Sequence, residues 1–420
     1  MRVVITYGTY DLFHTGHYNI LKRAKERGDY LIVGVTSDAY DKARGKLNVK
    51  QSLSERIENV KNTGLADKII VEEYMGQKID DIIKYNVDEF VLGSDWMGKF
   101  DYLNEYCEVT YLERTKGVSS TQLRNERFGI LKMGFVGKVS NVNSIILESK
   151  YVSGLEITSI YDLNLEFSKK IYEKNSLENY FDNFHEFLNN ITCVYISNIE
   201  NQYKYIKESL LNGKHVLFEN YNLNSEQINE LYCIAEANNL VLFESIYTAY
   251  SPGFSRLISM CKSGSIGAIK SINVTYSKST SDIRQSLLPS FLVLSKLLGT
   301  AYKSIDIFSI NDYNKENYKK ITVKYGDSIA SVQVSTNMKM NDELSIIGNN
   351  GYIIVDKPWW KTESFIVYTE EKNRKYSFDF DDDGIRYELS DFLNTITTNE
   401  NYQKIFKEDS IFISSLADRK

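Results

Sequence analysis

The chain has 420 residues, 42% hydrophobic and 25% charged, with a formal net charge of −6. This composition suits a globular protein of two or three domains, and the negative balance excludes a general affinity for nucleic acid. Four cysteines, Cys107, Cys193, Cys233 and Cys261, are scattered without CxxC spacing, which argues against a structural zinc site or a disulfide framework and predicts a reducing, cytoplasmic setting. No apolar run is long enough to span a bilayer, so no membrane insertion is expected. The first ten residues read as a strand and turn rather than as a signal peptide.

In residues 1–127, apolar runs at Val3–Tyr7, Tyr30–Val35, Lys68–Val71, Glu89–Leu92 and Val109–Leu112 predict strands. Amphipathic stretches at Tyr18–Arg27, Leu53–Thr63, Lys78–Tyr85, Phe100–Tyr106 and Ser120–Arg127 predict helices between and after them. Strict alternation of this kind predicts a parallel sheet with right-handed crossovers. Ligands of such sheets bind beyond the carboxyl ends of the strands, where strand order reverses. Three polar loops fall at that edge: Gly8–His17, Gly93-Ser94-Asp95-Trp96, and Arg114-Thr115-Lys116-Gly117-Val118-Ser119-Ser120-Thr121.

The first loop runs from a strand through Gly8-Thr9-Tyr10-Asp11 into a helix whose first turn carries His14-Thr15-Gly16-His17. A helix N-terminus offers backbone N–H groups and the positive end of a dipole to an anion. Histidines three residues apart share a face there. A single histidine near a helix start is usually a cap, but two of the chain's four histidines flank this one glycine. The arrangement suits a polyphosphate whose charge rises during reaction, as in nucleotidyl transfer. In the third loop Arg114 and Lys116 supply cationic donors, Gly117 lets the backbone approach a phosphate, and Ser119, Ser120 and Thr121 supply hydroxyls.

From Ile130 the pattern restarts. Strands are expected at Ile130–Gly137, Ile157–Tyr161, Cys193–Ser197, His215–Phe218 and Val241–Ser245, with helices at Tyr203–Leu211 and Ser225–Ala237. From Ile266 alternating β segments, among them Ile269–Tyr276, Ile321–Tyr325, Ser328–Thr336 and Ser364–Tyr368, predict a largely antiparallel sheet. The helical stretches Tyr387–Thr397 and Asp409–Leu416 close the chain. The expected architecture is α/β: a Rossmann-like parallel sheet over 1–129, a second Rossmann-like domain over 130–252, and an α+β domain with an open antiparallel sheet over 253–420.

Residues 1–127 resemble the glycerol-3-phosphate cytidylyltransferase family of HxGH nucleotidyltransferases, on His14-Thr15-Gly16-His17, Arg114 to Thr121, and Gly93 to Asp101. The resemblance implies transfer of CMP from CTP to a polyol phosphate, with release of pyrophosphate and a CDP-glycerol-type product for capsule or teichoic-acid-like polymers. It assigns His14, His17, Lys46 and Arg114 to catalysis. Thr9, Tyr10, Asp11, Thr15, Gly16, Asp95, Thr115, Gly117, Ser119, Ser120 and Thr121 fall to the nucleotide. Arg44 and Lys78 fall to the acceptor phosphate; arginine at 44 replaces the family's usual lysine, which bears on acceptor geometry. Asp11 is a candidate for magnesium or for orienting a histidine, with magnesium expected mainly on the CTP triphosphate.

Residues 131–420 resemble the Gfo/Idh/MocA group of NAD(P)-dependent oxidoreductases, on Ala235 to Leu242, Glu244 to Pro252, Gly264-Ser265-Ile266-Gly267, Ile346 to Gly351, and Gly384 to Leu389. The parts that such chemistry needs are altered. The glycine-rich run is Gly137-Lys138-Val139-Ser140-Asn141-Val142, with valines at two glycine places. The family's Glu-Lys-Pro is Glu219-Asn220-Tyr221, and Asp282–Leu298 lacks the expected histidine. This half therefore reads as a pseudo-oxidoreductase serving assembly or substrate recognition, without NAD(P). The alternatives are a bifunctional NAD(P)-dependent reductase and cytidylyltransferase, or a cytidylyltransferase for glycerol-2-phosphate or another polyol phosphate. Homodimers, common to both resembled families, are expected.

Overall fold

A computed structural model describes the chain except residues 44–45, 48, 75, 114–129, 138–141, 153, 176, 278–282, 313–314, 379–383, 399 and 420. The chain forms two compact units: Met1–Ile130 with Tyr151–Gly154, and Leu131–Lys150 with Leu155–Lys420. The second expected boundary, near residue 252, falls inside one of these units.

The first unit runs β1 (Val3–Gly8), α1 (Thr15–Lys25), β2 (Tyr30–Thr36), α2 (Asp38–Ala43), α3 (Leu53–Lys61), β3 (Lys68–Glu72), α4 (Gln77–Tyr85), β4 (Glu89–Gly93) and β5 (Glu108–Leu112). Its five strands are all parallel, in the order β3-β2-β1-β4-β5. Alternate side chains feed two cores. Val4, Leu31, Val33 and Val91 pack with Leu21, Ala24 and Val60 on one face. Ile5, Ile32, Phe90 and Leu92 pack with Ile82 and Leu103 on the other. A sheet covered on both faces needs such near-continuous apolar strands. Order reverses between β1 and β4, and the histidine turn leaves β1 at that point.

Two local expectations differ from the structure. Phe100–Tyr106 is only a 3-10 turn at Asp101–Glu105, because Leu103 alone is buried there and cannot anchor an α-helical face. Helix α2 was not anticipated, since six residues are too few for a 3.6-residue period to register. The expected helix Ser120–Arg127 lies outside the described residues.

The second unit holds two sheets. The first comprises β6 (Leu131–Val136), β7 (Leu155–Tyr161), β8 (Asn179–Phe181), β9 (Cys193–Ile196), β10 (His215–Phe218) and β11 (Leu242–Glu244). They are parallel in the order β8-β7-β6-β9-β10-β11, the doubly wound arrangement of dinucleotide-binding domains. Its helices are α5 (Val142–Ser149), α6 (Leu165–Asn175), α7 (Phe184–Asn189), α8 (Gln202–Leu211) and α9 (Ser225–Ala237).

After α10 (Pro252–Lys262) come β12 (Ile269–Ser277), α11 (Arg284–Leu298), β13 (Ser304–Asp312), β14 (Lys315–Lys324), β15 (Ile329–Ser335), β16 (Leu344–Gly348), β17 (Gly351–Val355), β18 (Ser364–Thr369) and β19 (Asn373–Ser377). This sheet, ordered β13-β14-β15-β12-β16-β17-β18-β19, is antiparallel except where β12 pairs parallel with β15. It is mixed rather than purely antiparallel, because α11 intervenes as a crossover and packs on β12 and β15. Helices α12 (Ile385–Thr398) and α13 (Lys407–Ala417) pack back on the parallel half: α12 lies against α5 and α13 against α9. Among the described residues no helix is long and apolar enough to cross a membrane.

Candidate functional site

The site of the first unit is built from the turn after β1. A Cβ at Gly8 would sit 3.0 Å from the Tyr10 ring, a tight contact, so glycine at the end of the strand gives that ring its room. Tyr10 (φ 54°) and Leu12 (φ 47°) are both left-handed, conformations that side chains rarely adopt and that concentrate at functional turns. Tyr10, expected in the nucleotide pocket, is only 3% exposed and belongs to the core. Its ring meets His17 edge-on at 5.5 Å, and Phe13 lies 5.5 Å from His17.

His14 is the N-cap of α1; its Nδ1 accepts from the Gly16 N–H at 3.0 Å. A neutral His14 must then carry its proton on Nε2. The His14 and His17 rings stack at 3.9 Å and 20°. Thr15 and Gly16 occupy the first helical turn, which holds no acidic residue. Two imidazoles therefore stand at a helix N-terminus whose dipole favours negative charge.

A second loop is tied to this turn. The Lys46 Nζ donates to Thr9 Oγ1 at 2.6 Å, and Thr9 Oγ1 donates to Asp41 Oδ1 at 3.1 Å. Asp11 is 1% exposed, and its Oδ1 accepts from the Lys50 and Gln51 N–H groups at 3.1 and 2.9 Å. Its carboxylate braces the 46–52 loop against the turn, and among the described residues no three His, Cys, Asp or Glu side chains converge as a metal site. The loop borders a cavity of about 200 Å³ whose walls include Asp38, Lys42, Lys46 and Lys50.

The residue that sequence reasoning missed here is Arg56. Its guanidinium is fully buried and donates to the carbonyls of Thr9 (2.7 Å), Thr36 (2.8 Å) and Gln51 (3.2 Å), and it pairs with Asp38. One side chain thus binds the ends of β1 and β2 to the cationic loop. A signal existed: in Leu53-Ser54-Glu55-Arg56-Ile57-Glu58-Asn59-Val60 the arginine sits on the face of Leu53 and Val60, where a charge must be paired.

Lys78, at the start of α4, pairs with buried Glu72, and its Nζ lies 4.8 Å from the Tyr7 ring centre and 5.5 Å from that of Phe100. Asp95 lies in the 3-10 turn Ser94–Trp96 after β4, at the same sheet edge. Arg44 and the loop residues Arg114, Thr115, Gly117, Ser119, Ser120 and Thr121 lie outside the described residues. That loop begins after Glu113, whose carbonyl accepts from Arg23 of α1 at 2.8 Å.

In the second unit the carboxyl ends of β9, β10 and β11 carry interlocked polar groups. Asn220 is 1% exposed. Its Nδ2 donates to Glu244 at 2.9 Å, and its Oδ1 accepts from Arg284 at 3.0 Å. Arg284 also donates to the Leu223 carbonyl, Ser414 and Asp418, so α11 and α13 close over this corner. Alongside, Tyr195 Oη lies 2.9 Å from Glu219 Oε1 and 3.2 Å from Ser245 Oγ, and Ser245 Oγ lies 2.8 Å from Glu388 Oε2. Burial, with the Glu219 and Asp391 charges, pushes the Glu388 carboxyl up to about 8.

A doubly wound parallel sheet can take a dinucleotide beyond the carboxyl ends of its strands. Two features fit one: Gly137 keeps its left-handed φ of 99°, and Asp162, unnoticed in the sequence, ends β7 where such folds place a ribose-binding carboxylate. Asn220, read in the sequence as replacing a lysine of the resembled group, is locked by Arg284. Val139 lies outside the described residues.

Comparison with known proteins separates the halves in the same way. A cytidylyltransferase-like family model matches residues 5–126. The glycerol-3-phosphate cytidylyltransferase of Bacillus spizizenii is 48% identical over 126 residues, 30% of this chain and 97% of that protein. The glycerol-3-phosphate cytidylyltransferase of Staphylococcus aureus is 45% identical over 129 residues, 31% of this chain and 97% of that one. Among solved structures, a UDP-N-acetylglucosamine 3-dehydrogenase from Acidithiobacillus ferrooxidans matches 68% of this chain and 95% of its own, with TM-score 0.60 and 14% identity. A 3-ketoreductase from Actinomadura kijaniata, solved with NADP and TDP-benzene, matches 69% and 96%, with TM-score 0.60 and 16% identity. At such identities the second half shares a fold with these oxidoreductases and no more is implied.

Proposed function

Through its N-terminal region the chain belongs to the glycerol-3-phosphate cytidylyltransferase family, and from that premise we propose that it joins the cytidylyl group of CTP to glycerol-3-phosphate or a closely related polyol phosphate. An acceptor phosphate oxygen bonds to the α-phosphorus while the bond to the β-phosphate oxygen breaks, and pyrophosphate leaves. No covalent nucleophile is needed; the protein positions the reactants and stabilises charge.

The observation that carries this reading is the stacked His14–His17 pair at the N-terminus of α1, at the switch point of the sheet. The His14 Nε2–H and the His17 imidazole donate to the α-phosphate and the departing oxygen. Lys46, held by Thr9, neutralises the phosphates from the side. Arg114 with Thr115, Gly117 and Ser119 to Thr121 takes the β- and γ-phosphates, Asp95 falls to the nucleotide, and Arg44 and Lys78 take the acceptor phosphate. Magnesium comes with the triphosphate, where it offsets charge. The reading includes a homodimer in the cytoplasm, with the second half acting in assembly or acceptor recognition.

The test is direct. The full chain is incubated with CTP, magnesium and a panel of polyol phosphates, and products are identified by mass. A CDP-polyol with pyrophosphate is expected; no turnover of any panel member would end the proposal.

Titration of the full chain with NADH or NADPH is expected to leave cofactor fluorescence unchanged. The lock at Asn220 occupies the reacting end, and Asp162 opposes a 2′-phosphate in particular. A saturable signal with either, or cofactor-dependent reduction of a sugar, would instead favour the bifunctional reading. Asn220→Ala, in turn, is expected to leave CTP-dependent pyrophosphate release within twofold of the unaltered protein.

A further inference from the structure

Glu72 is the last residue of β3, and both of its carboxylate oxygens are engaged. Oε2 accepts from Thr36 Oγ1 at 2.8 Å, while Oε1 holds the Lys78 ammonium. The glutamate side chain is 2% exposed and the lysine side chain 13%. The pair sits at an edge strand, yet the ammonium reaches across the carboxyl ends of the sheet to the rings of Tyr7 in β1 and Phe100 after β4, the strands that flank the switch point. The floor beneath it is braced as well: Tyr7 Oη donates to Asp81 Oδ2 at 2.8 Å, and Gln77 Nε2 donates to the same oxygen at 3.0 Å.

A lysine side chain has four rotatable bonds and a strongly hydrated head, so left to itself it samples many positions. A buried carboxylate that is itself immobilised by Thr36 removes that freedom. It takes one of the three ammonium protons and so fixes the direction of the other two. It also cancels the ammonium's net charge, so an incoming phosphate meets directed donors rather than a bare cation, and long-range attraction gives way to geometry.

We propose that Glu72 is a positioning residue for acceptor recognition, setting the Lys78 ammonium where it grips the phosphate of a small polyol phosphate. This rests on the reading of Lys78 as an acceptor contact. Glu72 itself touches no substrate.

The experiment is steady-state kinetics on the full chain with CTP, magnesium and glycerol-3-phosphate, with a thermal midpoint measured for each variant. Glu72→Gln keeps the shape and removes the charge; it is expected to raise KM for glycerol-3-phosphate about tenfold while KM for CTP and kcat change less than twofold. Glu72→Asp retains the charge on a shorter stem and is expected to fall between. Should Glu72→Gln fail to fold, Glu72→Asp carries the same test with a smaller rise in KM. Lys78→Ala is expected to raise the same KM, and Glu72→Gln added to Lys78→Ala to raise it no further. If Lys78→Ala leaves acceptor KM untouched, the reading of Lys78 fails and the proposal with it. If Lys78→Ala raises that KM and the Glu72 variants do not, the reading stands and Glu72 has no positioning role. A fall in kcat and a rise in both KM values together, with a lowered midpoint, would mark Glu72 as structural only and overturn the proposal.

Discussion

Replacing His17 by alanine is expected to lower CTP-dependent pyrophosphate release by about 100-fold or more, with the fold intact. The loss corresponds to about 2.7 kcal/mol of transition-state stabilisation, the range found when one donor to a developing oxyanion is removed. The ring of His17 is stacked on His14 and bordered by Tyr10 and Phe13, so its position is set before substrate arrives. Preorganisation of this kind is what makes a donor effective as charge develops. The loss belongs in kcat at saturating CTP, because the interaction strengthens as the α-phosphorus gains its fifth oxygen. Circular dichroism and the thermal midpoint check the fold. A well-folded His17→Ala protein that releases pyrophosphate at the unaltered rate would remove the imidazole pair from the mechanism.

What the sequence revealed of this site follows from the range of the signals. The five strands of the first sheet are apolar runs with turns between them, and all five are present in the structure because a sheet buried on both faces leaves no polar alternation to confuse the pattern. The histidine turn was legible because glycine, histidine and their spacing are local. The Arg56 hub was legible only in part: its place on the face of Leu53 and Val60 says that the charge is paired, but its partners Thr9, Thr36 and Asp38 are remote in sequence. Glu72 and Lys78 present the same difficulty. Lys78 is singled out by the family resemblance, but Glu72 looks like an ordinary surface charge until the chain folds and pairs the two. In the second half the parallel sheet was readable, but the short β8, with two of its three residues exposed, carries almost no apolar signal. The parallel pairing of β12 with β15 depends on a crossover helix that alternation alone cannot announce.

The fold of the second unit is expected to lose stability as pH rises from about 6.5 to 8, and Glu388→Gln to abolish that loss. Four groups form a chain from Glu219 through Tyr195 and Ser245 to Glu388, joined by three contacts of 2.9, 3.2 and 2.8 Å. Each of the two hydroxyls gives its proton to a carboxylate, and both carboxylates lie in the same corner. Ser245 Oγ donates to Glu388 Oε2 and Tyr195 Oη to Glu219 Oε1, while Ser197 donates to the other Glu219 oxygen at 2.5 Å. Burial, with the Glu219 and Asp391 charges, outweighs the Ser245 hydrogen bond and raises this carboxyl to about 8 in the folded protein, against an ordinary value of 4.5.

The sign follows from linkage. Between those values the unfolded chain has released the proton and the folded chain has kept it, so stability is full below about 4.5 and falls as pH climbs to about 8. Asp391, raised by burial to about 6, acts in the same direction over a lower range, and His215, whose burial lowers its pKa, acts oppositely below 6.5. Above 6.5 the remaining slope belongs chiefly to Glu388 and amounts to about 2 kcal/mol by pH 8, or roughly 3 °C in the midpoint of the second unit's transition. Glutamine in that place still accepts from Ser245 through its amide oxygen and has no proton to lose. Scanning calorimetry of both proteins at pH 6.5, 7.2 and 8.0 decides the matter: parallel slopes, or a flat profile in the unaltered chain, would mean that Glu388 is already ionised in the folded protein.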